Sequence, residues 1–256
     1  MRSVTLLAFL LLALPATVLA QLGLIFPSDD IVSPGENPSV NLRLGLFEPR
    51  GHSFGAVAKP RRFGVQHLGE QTDLLATLQL AQEQNTPWMA AFAIKRPGDH
   101  TFYAETNPQW QAADDGFVLY QVKLCVSAHD LEEGWDEPIG LDAEIVPLSR
   151  PYGLWSGNLF SGQVLVNGEP APYVAVEIAF LGQSPATPAT TTLPAAPYLV
   201  QKVRADGNGI FHYAMPRAGW WGFAATVEAD WTIKRDGDEK PVSLVTSIWV
   251  ATRDMN

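Results

Sequence analysis

The stretch that decides the fold is Gly162-Gln163-Val164-Leu165-Val166-Asn167-Gly168-Glu169-Pro170, and the segment Tyr173–Phe180 follows it closely. An Asn-Gly pair between two extended runs is a strong β-hairpin signal, because both central residues of a type I′ turn need positive φ. In the following segment every second residue is a branched apolar one, namely Val174, Val176 and Ile178. This two-residue period is that of a half-buried strand, so the stretch predicts antiparallel β-structure.

The same pattern extends toward the N-terminus. Apolar residues alternate in Ser39–Phe47, and a Pro97-Gly98-Asp99 turn joins two further β-type runs. Phe117–Ala128 reads as a longer strand with an apolar face that includes Val118 and Val122. Cys125, the single cysteine of the chain, lies on the other face. One cysteine forms no internal disulfide, so the fold must rely on its apolar core. A short helix is predicted only within residues 72–84.

The chain is better interpreted as two domains than as one large domain, and it turns from the first to the second around Pro147–Pro151. We predict an all-β protein with an N-terminal β-sandwich over residues 21–148 and a second β-sandwich over 149–256. The rhythm of short strands and Gly/Pro turns in the second unit resembles transthyretin-like and carboxypeptidase-regulatory-like sandwiches. It also fits an immunoglobulin-like sandwich that lacks the cysteine pair.

Residues 1–20 have the features of a signal peptide. Arg2 precedes an apolar run at 4–14, and Ala20 is a small residue before the predicted cut. The run is shorter than the roughly 20 apolar residues of a membrane span. We therefore expect a mature chain that begins at Gln21 and is exported to the periplasm.

Charge and motifs exclude several function classes. The formal net charge of −10 argues against nucleic acid, whose partners concentrate Lys and Arg. The chain has no G-x-S-x-G, no H-E-x-x-H and no phosphate-cradling glycine loop. Its adjacent acid pairs would point to opposite sides of a strand and so do not form an acid/base pair unaided. We expect no enzymatic activity.

The five histidines are the remaining candidates for a chemical role. Neutral imidazole nitrogen is the commonest protein ligand for nickel, copper and zinc. His100 follows the Pro97-Gly98-Asp99 turn, and His52 lies in a loop after the Ser39–Phe47 run. His212 shares a strand face with apolar residues and is interpreted as structural.

Several segments together resemble one known family. They are Phe26–Asp30, Lys59–Val65, Arg96–Tyr103, Glu133–Asp136, Arg150–Phe160 and Pro216–Ala225, the last with its tandem tryptophan Gly219-Trp220-Trp221-Gly222. The chain is similar to the extracytoplasmic component of bacterial nickel/cobalt uptake transporters, long catalogued as a domain of unknown function. The resemblance implies a non-catalytic β-sandwich protein that binds Ni²⁺ or Co²⁺ as transported ligand beside a membrane permease. It also carries His100 over as a candidate metal ligand.

The chain departs from that family at two places. It begins its mature part with Gln21-Leu22 where relatives carry a histidine, and it has Glu48-Pro49 where they carry His-Pro. We predict that His52 and Glu48 replace the usual ligand of the family. In this prediction His100 and His52 reach one metal ion, and Glu48 supplies an oxygen. The reason is that a sandwich gathers its loops at its two ends.

A second function class stays open from the sequence. A non-metal β-sandwich module, adhesive or carbohydrate-binding, would share the fold and lack the metal. The tryptophans bear on this alternative because exposed indole rings suit sugar binding. We expect Trp155, Trp220 and Trp221 to be buried at or near the junction of the two sandwiches, since the segments that carry them are strongly apolar.

Overall fold

The computed structural model describes residues 21–51, 53–55, 57–80, 88–185, 187–188 and 195–255. Within these ranges the chain is all-β, and its only helices are the 3₁₀ turns Leu75–Thr77 and Ala196–Tyr198. The helix predicted within residues 72–84 is therefore wrong for its described part, where only the first of these turns occurs. The strands in chain order are β1 Leu22–Pro27, β2 Ile31–Val32, β3 Ser39–Glu48, β4 Ser53–Gly55, β5 Arg62–His67, β6 Glu70–Asp73, β7 Gln79–Leu80, β8 Trp88–Ala93, β9 His100–Glu105, β10 Gln109–Gln111, β11 Gly116–Ala128, β12 Ala143–Pro147, β13 Leu154–Trp155, β14 Leu159–Val166, β15 Glu169–Pro170, β16 Ala175–Ser184, β17 Thr187–Pro188, β18 Val200–Arg204, β19 Ile210–Ala214, β20 Gly219–Glu228, β21 Ile233–Arg235, β22 Asp238–Lys240 and β23 Val242–Arg253.

A large central sheet organises the molecule. Its main path within the described residues is β17-β16-β20-β23-β11-β9-β5-β6. A second sheet, β1-β3-β8-β7, packs on one face, and a third sheet of β12, β14, β15 and β19 packs on the other. The predicted all-β sandwich class is confirmed. The two sandwiches share the central sheet, because β23 at the end of the chain pairs in parallel with β11 from Phe117↔Val242 to Leu124↔Trp249.

The predicted hairpin is present. Strand β14 continues into β15 through Asn167 and Gly168, whose φ values are 51° and 79°, and Val166 pairs with Glu169. The boundary proposed at residue 148 falls in the connection between β12 and β13. The domain ranges themselves stay a prediction.

The two residues of the tandem tryptophan pack into different sandwiches. Trp220 packs on Phe26 with ring centroids 5.1 Å apart, and Trp221 packs on Phe180 at 4.6 Å. Because neighbouring residues of a strand point to opposite faces of a sheet, one ring enters each core. Both are buried, at 8% and 5% exposure, as predicted.

Trp155 contradicts the burial prediction. It lies on the two-residue strand β13, which pairs with the end of β23 at Thr252 and Arg253, and 44% of Trp155 is exposed. An edge position leaves one side of the strand without a covering layer, so an apolar sequence segment does not guarantee burial there.

The glycines beside the tandem tryptophan are required by close packing. A Cβ on Gly222 would lie 2.7 Å from the ring of Trp249, and one on Gly219 would lie 2.8 Å from the carbonyl oxygen of Gly182. Trp249 is fully buried, and its Nε1 donates a hydrogen bond to Gly23 O at 2.6 Å. The central strands β20 and β23 therefore fix the first sandwich onto the second.

Candidate functional site

The predicted metal ligand Glu48 lies at the end of β3. Its carboxylate oxygens accept hydrogen bonds from the backbone amides of Arg50 and Gly51, at 2.8 and 2.5 Å. The carboxylate thus closes the turn that follows β3. His52 lies outside the described residues, although its chain neighbour Ser53 pairs with Glu48 across the β3–β4 hairpin.

His100 lies at the other end of the same sandwich. Its ring centroid is 5.9 Å from that of Phe92, and Phe92 pairs with Val40 near the start of β3. Eight residues of strand separate Val40 from Glu48, which corresponds to about 27 Å. The predicted convergence of His100 and Glu48 on one ion is therefore wrong. Glu48 precedes a turn and His100 follows one, and the two turns lie at opposite ends of the sandwich.

The structure instead places His100 against His67, the last residue of β5. The two imidazole rings are stacked, with centroids 4.3 Å apart and an interplanar angle of 17°. They are 3% and 5% exposed. No local sequence motif indicates this pair, because the two histidines meet through the antiparallel register of β5 and β9, in which Gln66 faces Thr101.

Both rings are oriented by backbone carbonyls. Nδ1 of His100 lies 3.0 Å from Gly98 O, and Nδ1 of His67 lies 3.2 Å from Asp99 O. A carbonyl only accepts, so each Nδ1 carries the proton in this assignment and each Nε2 keeps its lone pair. No group in the described part of the chain forms a hydrogen bond to either Nε2.

The electrostatic environment keeps His100 neutral. Burial first, and the neighbouring His67 second, lower the pKa of His100 to about 4. Both rings line a cavity of about 360 Å³ together with Thr72, Lys95 and Arg96. Arg96 forms an ion pair with Glu70 at 3.0 Å. At neutral pH this cavity therefore presents the His100 imidazole in its uncharged form, which is the form that binds metal ions.

The residues around His100 bring together segments that are distant in sequence. Tyr152 donates a hydrogen bond to Asp99 Oδ2 at 2.9 Å, and the amide of Asp99 donates to Glu133 O at 2.9 Å. Arg150 stacks over the Tyr152 ring at 5.2 Å and forms an ion pair with Glu132. Three of the segments that carried the family resemblance thus meet behind the imidazole pair.

Asp99 is a buried carboxyl whose hydrogen bonding is incomplete. It is 1% exposed, and its Oδ1 has no hydrogen-bond partner in the described part of the chain. Burial raises the pKa of Asp99 to about 6, against the opposing hydrogen bonds from Tyr152 and Ser127. Burial likewise raises the pKa of the Cys125 thiol, which lies nearby. These side chains support the loop that holds His100 from the opposite face of the sheet.

The described residues contain no group of three or more His, Cys, Asp or Glu side chains that could hold a metal ion. The imidazole pair therefore offers two protein ligands. Among the described residues, no helix has the length and apolar character needed to cross a membrane.

Comparison with known proteins gives a family for the chain. Residues 19–229 match the model of a family described as Domain of unknown function (DUF4198). No curated protein matches.

Solved structures resemble the chain only distantly. The D0-D1 domain of Intimin is 9% identical, with a TM-score of 0.25 over 91% of this chain and 100% of that one. The adhesin InvE of Yersinia pseudotuberculosis is 10% identical, with a TM-score of 0.25 over 88% and 58%. A putative membrane anchored protein of Corynebacterium diphtheriae is 11% identical, with a TM-score of 0.25 over 93% and 60%.

Proposed function

We propose, from the premise that this chain belongs to the DUF4198 family, that it is an extracytoplasmic, non-catalytic protein that binds Ni²⁺ or Co²⁺. In this proposal residues 1–20 direct export to the periplasm. The metal ion is cargo, which the protein passes to the membrane permease of an uptake transporter. The net charge of −10 favours the approach of cations over that of anions.

The observation that supports this proposal is the stacked pair of His67 and His100. Imidazole nitrogen suits borderline divalent ions, and a ring whose other nitrogen donates to a carbonyl is oriented for ligation. The lowered pKa of His100 removes proton competition at neutral pH. Water, or a group of the permease, would complete the coordination shell and leave the ion exchangeable, as delivery requires.

Coordination of one ion by both rings needs a small local change. In near-parallel rings the two lone pairs do not point at one position, so the rings must open from their 17° stacking. This requirement predicts modest affinity, and the opening supplies a spectroscopic signal for binding.

Calorimetric titration of residues 21–256 with Ni²⁺, Co²⁺ and Zn²⁺ tests the proposal. We expect His67→Gln and His100→Gln each to weaken nickel binding at least tenfold. Glu48→Gln should leave it unchanged, because Glu48 lies at the other end of the sandwich. His212→Gln is the matched control, an exposed histidine that bonds to Ser161 at 2.7 Å. Equal affinity in wild type and His100→Gln would refute the proposal.

The pH dependence gives a second readout. Because the pKa of His100 is about 4, protons should compete with metal well below the pH 6.5 expected for an unperturbed histidine. Binding that persists to about pH 5 supports ligation by the buried His100, and loss between pH 7 and 6 would instead indicate exposed histidines.

One observation favours a second candidate function, the adhesive or carbohydrate-binding module. Trp155 exposes 44% of its surface, and an exposed indole offers an apolar face for a sugar ring. If the titrations show no metal binding, quenching of tryptophan fluorescence by oligosaccharides, lost in Trp155→Ala, would support this alternative.

A further inference from the structure

A cavity of about 740 Å³ lies where the β1-β3-β8-β7 sheet ends and leaves one face of the central sheet uncovered. Gln21 and Glu48 line the cavity on the side of the β1-β3-β8-β7 sheet, and residues of strands β16, β20, β23 and β11 form its floor. Volumes of this order are typical of small-molecule sites. The cavity is at the opposite end of the sandwich from His100.

The charge in this cavity is of one sign. Its lining includes the carboxylates Glu48, Asp114, Glu177 and Glu228, and it includes no Lys or Arg. Glu177 forms an ion pair with Lys202, which lies outside the lining, and Glu228 accepts a hydrogen bond from Ser243 at 3.2 Å. Of these four carboxylates only Glu177 forms an ion pair within the described residues, so this concave surface attracts further cations.

The arrangement of these acids does not suit a single metal ion. Among the described residues no three potential ligands converge. Glu177 is on β16 and Glu228 on β20, while Asp114 lies beside the start of β11. With neighbouring strands about 4.8 Å apart, the three steps from β16 to β11 span roughly 14 Å. The carboxylates are thus distributed along an elongated floor.

Tyr120 supplies an independent sign that a ligand belongs there. It lines the cavity and is 5% exposed, yet no described group forms a hydrogen bond with its hydroxyl. The hydroxyl is not fully enclosed by protein, and Tyr120 lies between this cavity and a much smaller one lined by Leu44 and Val57. Burial raises the pKa of Tyr120, which leaves a neutral hydroxyl able to accept an N–H. Val118 and Val245 beside it form an apolar part of the floor.

We propose that this cavity binds a linear aliphatic polyamine. Its separated ammonium groups would pair with Glu177, Glu228 and Asp114, and its methylene chain would lie on Val118 and Val245. The Tyr120 hydroxyl accepts a hydrogen bond from one ammonium. The site is independent of the imidazole pair, so either proposal can fail without the other.

Titration of residues 21–256 with spermidine tests this site, with Mg²⁺ and the uncharged chain 1,8-octanediol as probes of charge and shape. We expect spermidine to bind at least tenfold more tightly than Mg²⁺, and octanediol not to bind. Glu228→Gln and Tyr120→Phe should each weaken spermidine binding at least fivefold. Glu169→Gln removes an exposed acid of β15 outside the cavity and should change nothing.

Three outcomes would overturn the proposal. They are equal binding of spermidine and Mg²⁺, equal weakening by Glu169→Gln and Glu228→Gln, and binding that His100→Gln removes while Glu228→Gln does not. The first two indicate a diffuse acidic surface, and the third places the ligand at the other end of the sandwich. Thermal unfolding of each variant checks that weaker binding does not come from loss of the fold.

Discussion

The substitution Asp99→Asn should stabilise the protein at neutral pH. The buried Asp99 carboxyl has its pKa raised from 3.8 to about 6, so above that pH the folded state must hold a charge that burial disfavours. This pKa difference corresponds to about 3 kcal/mol. Asparagine is uncharged, and its carbonyl oxygen can still accept the hydrogen bond from Tyr152. We therefore expect the variant to gain up to about 3 kcal/mol at pH 7.

The sign of the effect follows from proton binding. Between pH 4 and 6 the folded state holds the Asp99 proton more tightly than the unfolded state does, so this residue lowers stability as pH rises. His100 acts oppositely, because its pKa is lowered to about 4 and the unfolded state binds the proton more tightly. The two contributions nearly cancel over this range in the wild type. In Asp99→Asn only the histidine contribution remains, so stability should rise with pH.

Urea denaturation at pH 4, 5, 6 and 7 measures these differences. We expect wild type and Asp99→Asn to have similar unfolding free energies at pH 4 and to diverge up to pH 7. The control Glu169→Gln, an exposed position, should stay within about 0.5 kcal/mol of wild type throughout. A variant that is less stable than wild type at pH 7 would refute the reasoning, since it would mean that the environment favours the charged carboxylate.

Three further substitutions test the packing around the sites. Lys123→Met should cost about 3–5 kcal/mol in urea denaturation, because it leaves the buried Glu144 without its ion-pair partner at 2.8 Å. A double variant that also replaces Glu144 with Gln should recover part of the loss, because its side-chain oxygen still accepts a hydrogen bond from the Ile139 or Gly140 amide. Trp220→Ala should cost roughly 3–5 kcal/mol, and a loss below about 1 kcal/mol would contradict the burial of this ring in the first core. Tyr152→Phe should cost about 1–3 kcal/mol at pH 7 and less at pH 4, measured in the same way, because it removes the donor to Asp99 Oδ2.

The sequence predicted the elements of this fold better than their arrangement. The Asn-Gly turn and the alternating segments specify hairpins through local chemistry, and β14–β15 formed as predicted. The parallel pairing of β11 with β23 joins residues more than a hundred positions apart, and no local pattern encodes it. For this reason the sequence led to two sandwiches that meet at a junction, whereas the central sheet is common to both.

The candidate site depends on the same non-local information. A histidine beside a turn can be recognised as a possible ligand from sequence, and His100 was, but its partner is decided by strand register. His67 and Glu48 both lie at strand ends. Only the directions of β3, β5 and β9 place His67 beside His100, near the start of β3, and Glu48 about 27 Å away at the end of β3. A register shift of one residue between β5 and β9 would turn His67 to the other face of the sheet, toward Thr101, and break the pair. The backbone pairing of these two strands is therefore as much a part of the proposed metal site as the imidazoles.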